Sequence, residues 1–328
     1  MKSSGIGGQA VLEGIMMKNQ DKYAIAVRKP DQEIEVCVKD YKSLTDGKKL
    51  LKLPFIRGVF NFLDSLIIGM STLMYSSQFY EEAEQGEGKA KVSENDIPNN
   101  QDIKKVEKNA DNTFKEKSES AIMTVTVIFS VVLALGLFVV LPSLVSDFFK
   151  SRFDIKSYTV TALIESALRL LIFICYIVLI SRMEDIQRTF MYHGAEHKCI
   201  NCIEHGNELN VENVLKSSRL HKRCGTSFLF LVMAISILFF MLIPVQNPLI
   251  KVVVRLLLIP VIAGVSYEVL RFAGSHEGLF VKIVSAPGLA LQHLTTKEPD
   301  AEMAEVAIKA VEAVFDWRDY LEHYDEDK

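Results

Sequence analysis

The feature that most constrains this chain is a run of 25 residues without a single charge, Ala121 to Val145 (AIMTVTVIFSVVLALGLFVVLPSLV). Roughly 20 such residues cross the hydrocarbon core of a bilayer as a helix, so the run predicts a transmembrane span. Three further stretches qualify: Tyr158 to Ser181, carrying Glu165 and Arg169; Thr226 to Val245, uncharged; and Val252 to Leu270, with Arg255 and Glu268 near its ends. The expectation is a mainly α-helical polytopic membrane protein with about four transmembrane helices, whose first partner is the lipid bilayer. No cleavable export signal is read at the start. Glycines, Gln9 and Glu13 interrupt MKSSGIGGQAVLEGIMMKNQ before an apolar run forms.

Composition agrees. The mean hydropathy is +0.19 although the formal charge is −4, so the apolar residues are concentrated in segments. With no basic excess, no nucleic-acid partner is expected. Five Cys and seven His in 328 residues are too few for a disulfide scaffold. Lys104, Lys105, Lys108, Lys115 and Lys117 precede the first span, and Arg182, Arg188, Lys198, Lys216, Arg219, Lys222 and Arg223 lie between the second and third. The other side has Lys150, Arg152, Lys156 and Lys251. Positive loops stay in the cytoplasm, which places both termini and the middle segment there.

Around the spans, residues 1–50 read as a cytoplasmic glycine-rich β module, with strands at Tyr23–Arg28 and Glu33–Val38 and a turn at Lys29-Pro30-Asp31-Gln32. Residues 51–80 place Ile56, Val59, Phe60, Leu63, Ile67, Met70 and Met74 at helical spacing, broken by Arg57, Asn61 and Asp64. They predict an amphipathic membrane-associated helix. Residues 81–119 are a Glu/Lys/Asn/Asp-rich run, expected to be a disordered charged linker. The four-span domain covers 120–272, with a cytoplasmic His/Glu/Cys segment at 182–225. Residues 273–328 form a cytoplasmic C-terminal region with an amphipathic helix over Glu298–Tyr320. The opening GIGGQAVLEG lacks the Walker lysine, so its glycines point to a tight backbone, with Gln9 or Glu13 reaching a polar site.

Chemistry concentrates in YHGAEHKCINCIEHG, residues 192–206. On a helix, His193 and His197 lie one turn apart on one face, with Glu196 beside them. Two imidazoles so placed can share a divalent ion, and the carboxylate can orient a ligand or act as general base. A His-x-x-Glu-His pattern arises by chance in a chain of this length about one time in a hundred. Most of the Cys and His fall between Cys175 and Cys224, adding Cys199, Cys202, His205, His221 and Cys224 as donors. Two other readings stand beside a catalytic centre. The Cys199-x-x-Cys202 pair can be two small buried residues on a juxtamembrane helix, or it can join His221-x-x-Cys224 in a closed structural Zn site.

GGQAVLEGIMMK, LPFIRGVFNFLDSLIIGM, YHGAEHK, ELNVENV, SRLHKRCGTSFLF, SYEVLRFAG and APGLALQHLTTKEPD together resemble the YqhQ-like family of bacterial multi-pass membrane proteins. That family is a domain of unknown function described as predicted metal-dependent enzymes. The resemblance covers nearly the whole chain outside 81–119. It implies a bacterial cell membrane, and it maps the HGAEH core onto His193, Glu196 and His197 and the HxRCGTSF core onto His221 and Cys224.

The reading that follows is a metal-dependent integral membrane protein, with His193, His197, His221 and Cys224 as ligands of a divalent metal, Zn by donor type. Glu196 would be the catalytic base of a hydrolase acting at the cytoplasmic membrane face. Glu268, Cys199, Cys202 and His205 are additional candidates. The alternatives are a non-catalytic metal-stapled scaffold that binds partner proteins, and an oligomeric transporter using Glu165, Arg169, Arg255 and Glu268. A homo-oligomer or a membrane-protein partner is compatible with each.

Overall fold

The computed structural model describes residues 3–89, 125–245 and 247–324. The expected linker falls outside them from residue 90 onward, as do the first four residues of the first expected span. The chain is mainly helical with a small N-terminal sheet. It divides into two compact units, one comprising Met1–Gln85, Ile174–Ile243 and Val253–Lys328, the other Gly86–Phe173 and Pro244–Val252.

Four strands, β1 (Gly7–Val11), β2 (Gly14–Asn19), β3 (Lys22–Arg28) and β4 (Ile34–Asp40), form an antiparallel meander in the order β1-β2-β3-β4. The last two are the expected strands. The first two come from the glycine-interrupted opening; in β2, as in β3, most residues are buried because both sheet faces are covered there, which masks the alternation. Successive side chains point to opposite faces. Ile15, Met17 and Ala26 join one core, while Met16, Tyr23, Ile25 and Val27 join another.

The first core is completed by α4 (Glu184–Glu204), through Tyr192, Ala195, Cys199, Ile200 and Ile203, and by α9 (Ala301–Glu312), through Met303, Ala304, Ala307 and Val311. Asp300 caps α9 by accepting the Met303 N–H at 2.8 Å. The second core is completed by α1 (Ile56–Lys89), through Ile68, Tyr75, Phe79 and Tyr80. The sheet is therefore a middle layer, sandwiched between α1 and the α4–α9 pair.

Among the described residues, five helices are long and apolar enough to cross a membrane: Ile56–Tyr80 of α1, α2 (Val125–Arg152), α3 (Tyr158–Ile180), α6 (Gly225–Leu242) and Leu249–Ser275 of α7 (Pro248–Ser275). Four correspond to the expected spans. The fifth qualifies because its 25 residues carry only Arg57 and Asp64 as charges, although it is the least apolar of the set. The remaining helices are α5 (Val211–Lys216), α8 (Leu279–Thr295) and α10 (Trp317–Glu322).

In the second unit, α2 widens to a π-turn at Gly136–Val140, and the Phe138 carbonyl there accepts from Arg169 Nε at 3.0 Å. Arg169 also bonds Glu165 at 3.1 Å. Lys251 Nζ lies 3.1 Å from both Glu165 and Asp147. Two acids and two bases thus neutralise one another on apolar helices, which is what such groups need in hydrocarbon. Of the four residues weighed as a transport path, Glu165 and Arg169 belong to this network. Of the others, the Arg255 guanidinium lies 4.9 Å above the Phe240 ring, and Glu268 pairs with Arg57.

Candidate metal centre

The HGAEH sequence lies within α4, so its spacing brings the two imidazoles together, with ring centroids 4.4 Å apart. His193 Nδ1 is 2.9 Å from the Thr295 carbonyl oxygen, and His197 Nδ1 is 2.6 Å from that of Arg219. A carbonyl can only accept, so each Nδ1 carries a proton, and the tautomer this selects for the neutral ring has its lone pair on Nε2. This is the outer hydrogen bond that orients metal-ligating histidines.

Cys224 is the N-cap of α6, and its Sγ accepts the Thr226 N–H at 3.4 Å. The same sulfur lies 3.3 Å from His193 Nε2. Donor atoms of His193, His197 and Cys224 all fall within 4.8 Å of one another, and two of the three residues are buried. A tetrahedral Zn ion with ordinary bond lengths would hold N and S donors about 3.5 Å apart. Two imidazole nitrogens and a cysteine sulfur are donor types that suit a borderline-soft divalent ion, and the 3.3 Å between Cys224 Sγ and His193 Nε2 is close to that spacing.

Glu196 Oε2 stands 3.6 Å from His197 Nε2 and 3.9 Å from His193 Nε2, and Oε1 accepts the Gly8 N–H at 3.0 Å. Here the N-terminal glycines enter the site. A Cβ at Gly8 would meet the Met16 carbonyl at 2.7 Å and Glu196 Cγ at 2.8 Å. Gly194, between the two histidines, is equally constrained, because a Cβ there would stand 2.0 Å from the Lys297 carbonyl. The C-terminal residue of α8, Thr295, supplies the acceptor for His193, and the extended residues after it are held to α4 by Lys297 N–H donating to the Phe190 carbonyl at 2.9 Å.

Three positioning residues carried no recognisable signal in the sequence. Lys198 is buried and donates to the carbonyls of Leu215 and Ser217, both at 2.8 Å, while Asn201 donates to those of Ser218 and Leu220. Together they lash residues 215–220 over α4, which aims the Arg219 carbonyl at His197. Gln292 of α8 grips the His221 backbone from both sides, accepting its N–H and donating to its carbonyl, each at 2.8 Å. Asn201 does lie one turn from His197 on the same helix face, but a lone amide at that spacing points to no particular role.

The remaining candidates are placed elsewhere. The His221 ring is 5.6 Å from that of His197, but its Nε2 faces Glu204 Oε2 at 3.7 Å. Glu204 also accepts from Ser4 N–H, Ser4 Oγ and Arg223. Burial by itself would raise the Glu204 carboxyl, but the facing His221 and Arg223 and the Ser4 N–H outweigh it and hold the pKa down at about 2. Cys199 and Cys202 pack in the apolar core, where burial pushes both thiols up. His205 bonds the Asn201 carbonyl at 2.7 Å. Glu268 accepts from Arg57 Nε at 2.7 Å and from the Phe55 N–H at 3.2 Å. Glu13, offered as a polar reach of the opening motif, pairs with Arg188 and accepts from Tyr192 Oη at 3.3 Å.

A family described as "Protein of unknown function (DUF1385)" matches residues 53–317. The chain is 32% identical over 305 residues to "Uncharacterized protein YqhQ" of Bacillus subtilis (strain 168), covering 93% of this chain and 90% of that protein. No solved structure matches.

Proposed function

The chain belongs to the DUF1385 family of proteins of unknown function, and from the centre on α4 we propose that it is a membrane-embedded metalloprotein, with Zn the divalent ion that its donors suit best. The observation that carries this is the convergence of His193 Nε2, His197 Nε2 and Cys224 Sγ, with each outer imidazole nitrogen fixed on a carbonyl. Three protein ligands leave one tetrahedral position open, the arrangement of catalytic rather than structural sites. When bound there, such an ion supplies Lewis acidity and brings the pKa of water to about 7.

The rest is done by the chain. Glu196, steadied by the Gly8 N–H, holds Oε2 beside the two Nε2 atoms and is placed to accept a proton as general base. Burial of His197 and Glu196 keeps bulk water out, while His193 is more exposed and marks the approach. Because Cys224 caps a candidate membrane span, the substrate would be met at the bilayer surface, which fits hydrolysis of a peptide or lipid-linked compound. The basic flanks put this face in the cytoplasm of a bacterial cell membrane. A second reading rests on the same Glu196 distances: its carboxylate can serve as a fourth ligand, closing the site into a structural staple.

Purified full-length protein in detergent should contain about one ion per chain, and a metal-free wild type would sink both readings. Glu196→Gln separates them. A general base predicts unchanged metal content with loss of turnover, whereas a fourth ligand predicts loss of metal.

A further inference from the structure

We propose that α1 does not cross the membrane, although its length and composition permit it, and that it lies along the membrane face with an apolar stripe in the lipid. Three independent observations meet here. The first is what runs beside the helix. Asp64 accepts from Ser43 Oγ at 2.6 Å and from the Leu44 N–H at 3.2 Å. A Cβ at Gly69 would stand 2.6 Å from the Gln9 amide. Ser76 Oγ accepts the Leu12 N–H at 3.1 Å, Lys39 Nζ lies 5.0 Å above the Tyr75 ring, and Tyr80 Oη donates to the Arg28 carbonyl.

From Asp64 to Tyr80 is about 24 Å of helix, most of a hydrocarbon core about 30 Å thick. The β module flanks all of it. If α1 crossed, the open four-stranded sheet, the irregular backbone at 43–46 and the charged residues of β4 would be carried into hydrocarbon with it. Open sheet edges and loops are not tolerated there, because lipid cannot satisfy their backbone groups.

The second observation is the free face. Leu63, Leu66, Ile67, Met70, Leu73 and Met74 recur at helical spacing and are 37–60% exposed, forming one stripe away from the sheet. The third is the count of crossings. The β module, α4 and α9 share one core, so they occupy one face of the membrane. Among the described residues, two candidate spans, α6 and α7, lie between α4 and α9; α8 is not one of them, since its 17 residues include Lys282, Gln292 and His293 and its last turn bonds His221 and His193. Between β4 and α4 lie α1, α2 and α3. Three crossings would put the two parts of one core on opposite sides of the bilayer, and removing α1 restores an even number. The bilayer surface is thus the partner of the α1 stripe. The surface helix also adjoins the metal centre, since Gln9 rests on Gly69 while the next residue, Gly8, holds Glu196.

The test uses the full chain in membrane vesicles of both orientations, in a Cys37→Ser, Cys175→Ser background that keeps the buried Cys199, Cys202 and Cys224 and serves as the unlabelled control, with one introduced cysteine at a time labelled by a membrane-impermeant maleimide. Lys22→Cys, Ser93→Cys and Lys309→Cys should all label from the same side. Labelling of Ser93→Cys from the side opposite Lys22→Cys would overturn the proposal. Depth provides a second measurement. In a Trp317→Phe background, Leu66→Trp and Leu73→Trp should be quenched alike, and most strongly by lipids brominated near the headgroup. A crossing helix would separate the two by about 10 Å, and maximal quenching by different bromine positions would refute the surface placement.

Discussion

Two regions of this molecule bury ionisable groups, and they do it in opposite ways. In the second unit, Glu165, Arg169, Lys251 and Asp147 turn their charged ends on one another, and the widened turn of α2 adds the Phe138 carbonyl. In the α4 centre, partners are supplied from outside. Carbonyls of Thr295 and Arg219 take the Nδ1 protons, Gly8 takes one oxygen of Glu196, and the inner atoms of His193, His197 and Cys224 face a common point. Charges that close on each other hold helices together. Donor atoms whose outward sides are fixed, and whose inward sides converge, are what the proposed metal site rests on.

The sharpest way to break that contrast is to remove a converging donor. His197→Ala or Cys224→Ala should weaken metal binding more than about hundredfold, beyond the loss typical of a second-shell partner, as read by metal content after dialysis. Glu165→Ala should do the reverse. Leaving Arg169 and Lys251 buried without their carboxylate should cost about 3–5 kcal/mol of stability, seen by thermal unfolding in detergent, with metal content unchanged.

The Glu204 carboxyl sharpens the comparison from a third direction. Its pKa is held at about 2 in the folded chain, below the usual glutamate value of about 4.3. A depressed carboxyl contributes stability that is complete above the unfolded pKa and lost as pH falls through the folded one. That contribution, about 3 kcal/mol, should disappear between roughly pH 5 and pH 2. Glu204→Gln should flatten this acid limb, and an unchanged limb would show that the His221–Arg223 setting does not hold the charge. The smallest effect belongs to His221→Gln. Because the ring faces Glu204 rather than the convergence point, metal affinity should change by less than about tenfold, and a complete loss would make His221 a ligand after all.

How much of this was legible depended on how local the determining interaction is. The spans were, since an uncharged run such as Ala121–Val145 leaves a helix in lipid as the one way to satisfy its backbone. The His193–Glu196–His197 spacing was, because a helix turn sets it. The strands β1 and β2 were not: β1, GGQAV, has glycine at two of its five positions and little apolar pattern to read, and burial on both faces erased the alternation in β2. Nor was the division of labour among donors. His221 and Cys224 are three residues apart, yet one meets Glu204 and the other meets His193, a choice made by the Gln292 clamp and the Lys198 and Asn201 ties.

By itself, then, the chain determined a polytopic helical protein with a ligand-bearing helix between its second and third expected spans, since hydrophobic run length and the 3.6-residue turn are properties of adjacent residues. Only the tertiary structure decided that a glycine strand from the N-terminus supports Glu196, that Cys224 rather than Cys199 or Cys202 joins the histidines, and that a β module covers α1. Each of these depends on contacts between residues tens to hundreds of positions apart, and no local pattern records which distant backbone groups will meet.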